Sequence, residues 1–342
     1  MASALLEYPV RPDRSERAAI LIVNGGTNPV QGRWLTLCLD RIRAHTPPAD
    51  YHLYIWNNNI QDTLAGDEAK PGWNCTWVQA PADLVLTHPH ADPLQRLYER
   101  ARADGFHTIV TLDTDAHPIR DGWLALLTEA IDNGAVLAGV WRDELKSAIA
   151  PYVHASGLCT TVDYLESHGL RLDRIAPNRN GVIHDTLSCL TETAEAEGLP
   201  IFKLRRSNRR QFHRLIGGIY GDCLYHHGAG SRPAVTFWDE ASSAGQARRN
   251  GATAGIAMQL VFTDYHRYMS WLSGRWVDPD FAARMQMLTA GRFEAFDTVC
   301  ATVSHTQDRN GMAVEPVPAA HNGYARRIGA LWRAMRGSRS VR

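Results

Sequence analysis

The residues with the clearest potential for chemistry are two aspartates, Asp113 and Asp115, which stand two positions apart directly after an apolar run. In α/β proteins, ligands bind outside the carboxyl ends of the strands, where a turn allows both side chains to reach one site. Carboxylate oxygens suit a hard divalent cation that bridges a diphosphate. The two residues are also suited to capping the turn or the helix predicted after Pro118, so the pattern alone leaves both roles open.

Two adjacent histidines, His226 and His227, form a second candidate site in the segment Tyr-His-His-Gly-Ala-Gly-Ser. Imidazole nitrogen is a common ligand of manganese-like ions, and the glycines allow the backbone to approach a phosphate closely. The pair follows a predicted strand, so one of its rings can converge on an ion held by the two aspartates. A pair of surface or hydrogen-bonded histidines is the alternative interpretation.

A third candidate is Asp185, which lies at the predicted start of a helix over residues 186–197. An aspartate at this position is typical of an N-cap, where its oxygen accepts a backbone N–H. A carboxylate oriented in this way is also suited to act as a general base that takes a proton from an acceptor hydroxyl. The two roles are compatible, and the sequence does not separate them.

The elements that position these residues follow from an alternation of short apolar runs with helical patterns. Continuous apolar runs are typical of buried strands, and the helices between them each carry an apolar stripe. Two of the helices are predicted to begin at N-caps, Asp92 and Asp121. The pattern predicts an α/β fold with a central sheet covered by helices on both faces. The predicted strands are residues 19–23, 51–56, 75–78, 108–112, 136–141, 201–204 and 220–224.

Composition and missing motifs narrow the functional classes. The 36 Lys and Arg residues balance the 36 Asp and Glu residues, so no net field attracts nucleic acid. The six cysteines form no C-x-x-C pair and no apolar run approaches the ~18 residues of a membrane span, so we expect a cytoplasmic protein. The sequence contains no G-x-G-x-x-G, P-loop, H-E-x-x-H or G-x-S-x-G motif, which disfavours the classes that these motifs mark.

Four segments are predicted along the chain. An N-terminal extension precedes the α/β catalytic domain, which is followed by a helical extension with one long helix and then by a linker and a basic amphipathic helix. The basic helix suits contact with an anionic membrane surface, or docking on its own domain or on a second copy in a homo-oligomer. A basic run at 203–214 suits either a solvated surface or a loop that closes over a diphosphate. The segment bounds are residues 1–18, 19–240, 241–306 and 307–342.

The order of these features resembles the inverting family 2 glycosyltransferases of the GT-A fold, over residues 19–240. The most specific parts are Asp113-Thr114-Asp115 with the following Gly122-Trp123, and the helix that begins at Asp185 and ends in Ala-Glu-Gly-Leu-Pro. Other matching features are the turn from Asn24 to Asn28, the loop Trp56-Asn57-Asn58-Asn59, the segments His88-Pro89-His90 and His154-Ala155-Ser156, and the loop with His226-His227.

The resemblance implies a GT-A central mixed sheet and a role for each candidate residue. Asp185 would be the catalytic base, and Asp115 would bind Mn²⁺ or Mg²⁺ together with His227 or His226. The donor would be a nucleoside-diphosphate sugar and the acceptor a hydroxyl or another nucleophile. The chain departs from the family at His184, where an acidic residue is usual, and at Asn57, where an aspartate is usual. The residues implied to contact the nucleotide sugar are Asn24, Thr27, Asn57, His90, Asp113 and Ser156.

Two other functions fit the same residues. A nucleotidyltransferase also needs an acid-bound metal beside a nucleotide, but it releases pyrophosphate rather than a nucleoside diphosphate. A non-catalytic protein that binds a nucleotide or a sugar is the alternative from a different class, and the presence of Asp113, Asp115, Asp185 and His227 argues against it.

Overall fold

The computed structural model describes residues 17–25, 29–58, 74–81, 83–143, 150–174, 185–208, 216–228 and 244–290, all within one compact unit that ends at Phe293. These residues form a central mixed seven-stranded sheet flanked by helices, which confirms the predicted fold class. The predicted linker and basic helix lie outside the described residues, and the segment bounds stay predictions.

The strands of the described residues include six of the seven predicted strands, two that the sequence pattern did not indicate, β5 and β7, and a pair, β9 and β10, in place of the seventh. In chain order they are β1 (Ala18–Asn24), β2 (Tyr51–Asn57), β3 (Cys75–Gln79), β4 (Thr108–Asp113), β5 (Ala116–Pro118), β6 (Leu137–Arg142), β7 (Tyr152–Thr161), β8 (Ile201–Leu204), β9 (Gly218–Tyr220) and β10 (Leu224–His226).

The central sheet has the strand order β3-β2-β1-β4-β7-β6-β8, in which β1 to β4 are parallel and β7 runs antiparallel to both of its neighbours. β1 pairs with β2 on one side and with β4 on the other, so the winding of the chain reverses between β1 and β4. Open α/β sheets bind their ligands at such a reversal. The register aligns Asn24 with Asn57 and Val23 with Asp113, so polar residues end three adjacent strands at one edge.

Helices cover both faces of this sheet, as their apolar stripes predict. On one face α1 and α3 bury residues such as Leu39 and Trp123 against the sheet, and on the other α2, α4 and α5 bury residues such as Leu97 and Leu190. Complete burial of one such side chain contributes about 1.5–3 kcal/mol. The helices are α1 (Pro29–His45), α2 (Ala91–Ala103), α3 (Trp123–Asp132), α4 (Val162–Ser167), α5 (Ser188–Ala196), α6 (Ala244–Thr263), α7 (Tyr265–Leu272) and α8 (Pro279–Thr289).

A second, antiparallel sheet of order β5-β10-β9 lies at the carboxyl end of β4. The single strand predicted over residues 220–224 is wrong, because this stretch is the turn between β9 and β10. Gly221 and Asp222 both have φ of +55°, and two consecutive positive φ values are typical of a tight hairpin turn. The hairpin brings the adjacent histidines back alongside β5.

Several predicted helix boundaries are also wrong. α2 has its N-cap at His90, and Asp92 lies within its first turn, where it accepts a hydrogen bond from the His88 N–H. α3 has its N-cap at Gly122, and Asp121 Oδ1 instead lies 2.7 Å from Nδ1 of His45 in α1. The long helix predicted beyond residue 241 is two helices, α6 and α7, separated at Asp264. None of the described helices is both long and apolar enough to cross a membrane.

Candidate active site

The two aspartates of the Asp-x-Asp motif meet one histidine ring. Asp113 ends β4, Asp115 lies in the turn before β5, and β5 pairs with β10 so that Ala116 is opposite His226. The His227 N–H donates to the carbonyl of Asp115 at 3.0 Å, which continues this pairing. His226 Nε2 consequently lies 3.7 Å from Asp113 Oδ2 and 3.6 Å from Asp115 Oδ1.

The two adjacent histidines occupy different environments. The His227 ring packs against Trp34 with 4.8 Å between ring centroids, and its Nδ1 lies 2.7 Å from the hydroxyl of Tyr225. Burial lowers the pKa of His227 to about 3, so this ring is neutral at physiological pH. The structure therefore places His226, rather than His227, against both carboxylates.

His154, on β7, is a residue of the site to which sequence reasoning assigned no role. Its Nδ1 lies 3.7 Å from Asp113 Oδ2 and 2.9 Å from Ser156 Oγ, and its Nε2 lies 4.0 Å from Asp185 Oδ2. Its ring centroid is 5.1 Å from that of His226. The signal was present in the sequence as a histidine two positions from Ser156, but it becomes informative only once residues 152–161 are recognised as a strand.

His90 and Asp113 form a close pair at the start of α2. His90 Nε2 lies 3.2 Å from Asp113 Oδ1. Burial alone lowers the pKa of His90, but the hydrogen bond and the charge of Asp113 outweigh it and raise that pKa overall. Burial likewise disfavours the Asp113 carboxylate, yet His90 and the other nearby histidines hold its pKa well below the usual range. Asp113 is therefore ionised at physiological pH.

The cluster has the donor atoms that a divalent cation requires. Asp113, His154 and His226 each offer one ligand atom, and the three atoms lie within 4.8 Å of one another. Burial is the main cause that lowers the pKa of His154 to about 4 and that of His226 well below its ordinary value. Neutral imidazoles and an ionised carboxylate are the forms that bind metal, so these residues fit a divalent cation.

Asp185 is held on both carboxylate oxygens, but it does not cap a helix. Its Oδ2 accepts a hydrogen bond from the Tyr152 hydroxyl at 2.5 Å, and its Oδ1 accepts one from the Thr186 N–H at 2.8 Å. α5 begins at Ser188 with Leu187 as its N-cap, at a φ of +66° and with no side-chain cap, so the helix start predicted at residue 186 is wrong. The side chain of Asp185 is therefore oriented independently of the helix.

The electrostatics of Asp185 keep it ionised. Burial raises the pKa of this carboxyl, but the neighbouring His154, the Tyr152 hydroxyl and the Thr186 N–H outweigh burial and lower the pKa overall. About 43 % of its side chain is exposed, so an incoming hydroxyl can reach it. Asp185 is an accessible carboxylate with its orientation fixed, which is the requirement for a general base.

The asparagines at the ends of β1 and β2 form a buried amide chain. Asn24 Nδ2 donates to Asn57 Oδ1 at 2.8 Å, and Asn57 Nδ2 donates to Gln79 Oε1 at 2.9 Å. Both asparagines are inaccessible to solvent, as is Ser156. The structure thus places Asn24 and Asn57 together at the sheet edge, where they fix the strand ends beside Asp113. Thr27 lies outside the described residues, as does His184.

The basic run of residues 203–214 is partly engaged in contacts with the rest of the chain. Arg205 donates to Asp143 at 2.8 Å, and Lys203 lies 3.7 Å from the ring centroid of Trp141. Arg206 donates to the side chain of Asn208 at 2.8 Å. Residues 209–215 lie outside the described part of the chain, so the proposed closing loop stays a prediction.

Comparisons with known proteins give a likeness of fold. No protein-family model matches the chain, and no curated protein matches its sequence. The chain is similar to the crystal structure of residues 1–349 of S. aureus TarS, with 10% identity, coverage of 87% of this chain and 93% of that one, and a TM-score of 0.40. The complex of the same fragment with UDP-GlcNAc gives 9% identity and a TM-score of 0.40.

A second solved structure with this likeness is a putative nucleotide-diphospho-sugar transferase from Desulfovibrio desulfuricans G20. The identity is 11%, the match covers 56% of this chain and 80% of that one, and the TM-score is 0.36.

Proposed function

We propose that the protein is a metal-dependent glycosyltransferase that moves a sugar from a nucleoside-diphosphate sugar to an acceptor hydroxyl with inversion. The observation that carries this proposal is the pairing of two carboxylate centres across one imidazole. His154 lies between Asp113, which belongs to the cation-binding cluster, and Asp185, which stands apart from it. Displacement of a diphosphate at the anomeric carbon needs a cationic centre for the leaving group and a separate base for the nucleophile.

The cation-binding cluster would face the leaving diphosphate. Asp113 and His226, with Asp115 beside them and His154 across from them, would hold Mn²⁺ or Mg²⁺. A cation bound there would act as a Lewis acid that offsets the charge of the leaving group. The imidazole nitrogens of the cluster favour Mn²⁺, because Mg²⁺ prefers oxygen ligands.

Asp185 would take the proton from the attacking hydroxyl. Tyr152 and Thr186 hold its two oxygens, so the carboxylate is oriented before the acceptor arrives. Attack on the face of the sugar opposite to the leaving group inverts the anomeric configuration. The separate base also favours sugar transfer over nucleotidyl transfer. Nucleotidyl transfer takes place at the phosphate beside the metal, whereas Asp185 stands apart from the metal cluster.

The test is nucleotide binding followed by product analysis. Melting temperatures would be measured with UDP, GDP, CDP, ADP and dTDP, each with MnCl₂ and with EDTA. Ligand at about 100 times its Kd stabilises the native state by about 2.7 kcal/mol, so one diphosphate should give a clear upward shift that depends on Mn²⁺. Asp115→Ala should remove the Mn²⁺-dependent part, and Asp121→Ala, at an exposed aspartate nearby, should keep it.

The corresponding sugar nucleotide would then be incubated with candidate acceptors. Release of a nucleoside diphosphate and a product of inverted configuration are the expected results. A parallel incubation with the nucleoside triphosphate and a sugar 1-phosphate tests the nucleotidyltransferase, and release of pyrophosphate there would establish that activity instead. Mn²⁺-independent binding of every nucleotide would contradict the metal site.

A further inference from the structure

Arg142, the last residue of β6, contacts the second ring nitrogen of His226. Its Nη1 lies 3.2 Å from His226 Nδ1, on the opposite side of the ring from the two aspartates. A guanidinium group only donates hydrogen bonds, so Nδ1 must accept. A neutral imidazole carries one N–H, which this contact assigns to Nε2, on the side of the ring that faces the carboxylates of Asp113 and Asp115.

Coordination of a metal ion reverses that assignment. A ligating nitrogen uses its lone pair, so a neutral His226 that binds a cation through Nε2 carries its proton on Nδ1. Nδ1–H and the Arg142 N–H would then be two donors facing each other. The contact between Arg142 and His226 is thus incompatible with metal bound at Nε2, and the guanidinium must leave the ring when the cation binds.

We propose that Arg142 binds the diphosphate of the donor. When metal binds, its guanidinium leaves His226 Nδ1 and donates its hydrogen bonds to the phosphate oxygens instead. This inference rests on the proposed function, because it needs a diphosphate beside the cation. The planar fork of an arginine matches phosphate oxygens, and its hydrogen bonds to them are charge-assisted. Arg142 ends β6 opposite Tyr152, whose hydroxyl holds Asp185, so it neighbours both a residue of the metal cluster and the residue that orients the proposed base.

The exchange makes metal and nucleotide binding cooperative. Metal alone must break the contact between Arg142 and His226 without giving the guanidinium a new acceptor. A nucleoside diphosphate supplies that acceptor, and so each ligand favours the other. A purely structural arginine that only orients His226 would support metal binding instead of opposing it, and the two roles therefore predict opposite effects on the affinity for metal alone.

The experiment measures Mn²⁺ alone, by electron paramagnetic resonance of the free ion, and then the nucleoside diphosphate selected in the melting screen, by calorimetry in saturating Mn²⁺. Arg142→Met removes every donor and keeps the apolar stem. We expect this variant to bind Mn²⁺ alone a few-fold more tightly than the wild type, and the diphosphate roughly ten- to a hundredfold more weakly. Arg142→Lys keeps the charge without the fork and should fall between the two.

Arg100→Met is the matched control, since this arginine is exposed in the last turn of α2 and paired with Asp104. It should leave both affinities at the wild-type value. Unchanged diphosphate binding in Arg142→Met and Arg142→Lys, or weaker binding of Mn²⁺ alone, would overturn the inference and leave the proposed function standing. A wild-type protein that binds neither Mn²⁺ nor any diphosphate would overturn both.

Discussion

Asp185 illustrates how neighbouring residues decide what a carboxylate can do. Two donors and a nearby imidazole lower its pKa, so it is fully ionised at neutral pH but is a weaker base than an unperturbed aspartate. Its value for catalysis therefore lies in its orientation and in its accessibility. The sequence identified Asp185 but left open whether it caps a helix or acts as a general base. In the structure Leu187 is the N-cap of α5, so Asp185 does not cap this helix.

Replacement of Asp185 by asparagine tests the role of the base. The amide oxygen can accept the Thr186 N–H, and the amide N–H can donate to the Tyr152 hydroxyl, so the fold and the melting temperature should change little. An amide cannot take up a proton, and transfer should fall by about a hundredfold or more while binding of Mn²⁺ and nucleotide is retained. Steady-state rates and calorimetry measure the two effects.

The control for this variant is Asp173→Asn, at an aspartate whose ion-pair partner is Arg171. It should transfer sugar at the wild-type rate. If Asp185→Asn transfers sugar as fast as the wild type, or if the product keeps the configuration of the donor, the mechanism proposed for Asp185 is wrong.

The two adjacent histidines give a second prediction at this scale. His226→Gln should lose most of the Mn²⁺-dependent rise in melting temperature, because His226 faces both aspartates. His227→Gln should keep that rise but begin from a lower melting temperature, since its ring packs on Trp34 and bonds Tyr225. Melting curves in Mn²⁺ and in EDTA separate the two effects. The reverse result would assign the metal to His227.

At the scale of elements, the parallel part of the fold was predictable and the antiparallel part was not. β1, β2 and β4 are continuous apolar runs. The rule that ligands bind at strand ends singled out Asp113, and the family resemblance added Asn24 and Asn57, which end the adjacent strands. β7 has the sequence Tyr-Val-His-Ala-Ser-Gly-Leu-Cys-Thr-Thr. Its small and polar residues do not form a continuous apolar run, although most of them are buried in the structure. Because β7 was missed, so were Tyr152 and His154, which share one face of it at alternate positions.

The pairing of β6 with β7 depends on Gly139, where the register shifts and directs the end of β6 towards the site. Gly139 has a φ of +150°, and a Cβ at this position would lie 1.9 Å from the carbonyl oxygen of Gly157. Gly139→Ala should therefore lower the free energy of unfolding by about 2–4 kcal/mol and weaken Mn²⁺ binding, because the candidate ligand His154 lies on the paired strand β7.

Gly134→Ala separates this clash from backbone strain. Gly134 has a φ of +96° with open space around it, so alanine there should cost only the strain of about 1–2 kcal/mol. Urea unfolding measures both variants. Equal losses in the two variants would show that contact with Gly157 is not what requires a glycine in β6.

Across the whole molecule, the site is assembled from the ends of two sheets and several helices, and it concentrates buried histidines. His117, in β5, is inaccessible and contacts the Tyr265 hydroxyl of α7 at 3.0 Å, and burial lowers its pKa to about 3. The pKa values of His154 and His227 are lowered to about 4 and about 3, also chiefly by burial. The fold therefore depends on neutral imidazoles.

This dependence predicts a loss of stability in mild acid. The unfolded state takes up protons on these histidines near pH 6.5, whereas the folded state does so only near pH 3–4, so stability falls as the pH drops below 6.5. Each of His117, His154 and His227 should lower the free energy of unfolding by about 1.4 kcal/mol per pH unit in that window. His90, whose pKa is raised, adds no slope there because both states are protonated.

The measurement is urea unfolding in EDTA between pH 7.5 and 5, which should show this slope. His117→Gln should reduce the slope by about 1.4 kcal/mol per pH unit. A wild-type stability that is constant over this range would mean that the buried rings carry protons in the folded state.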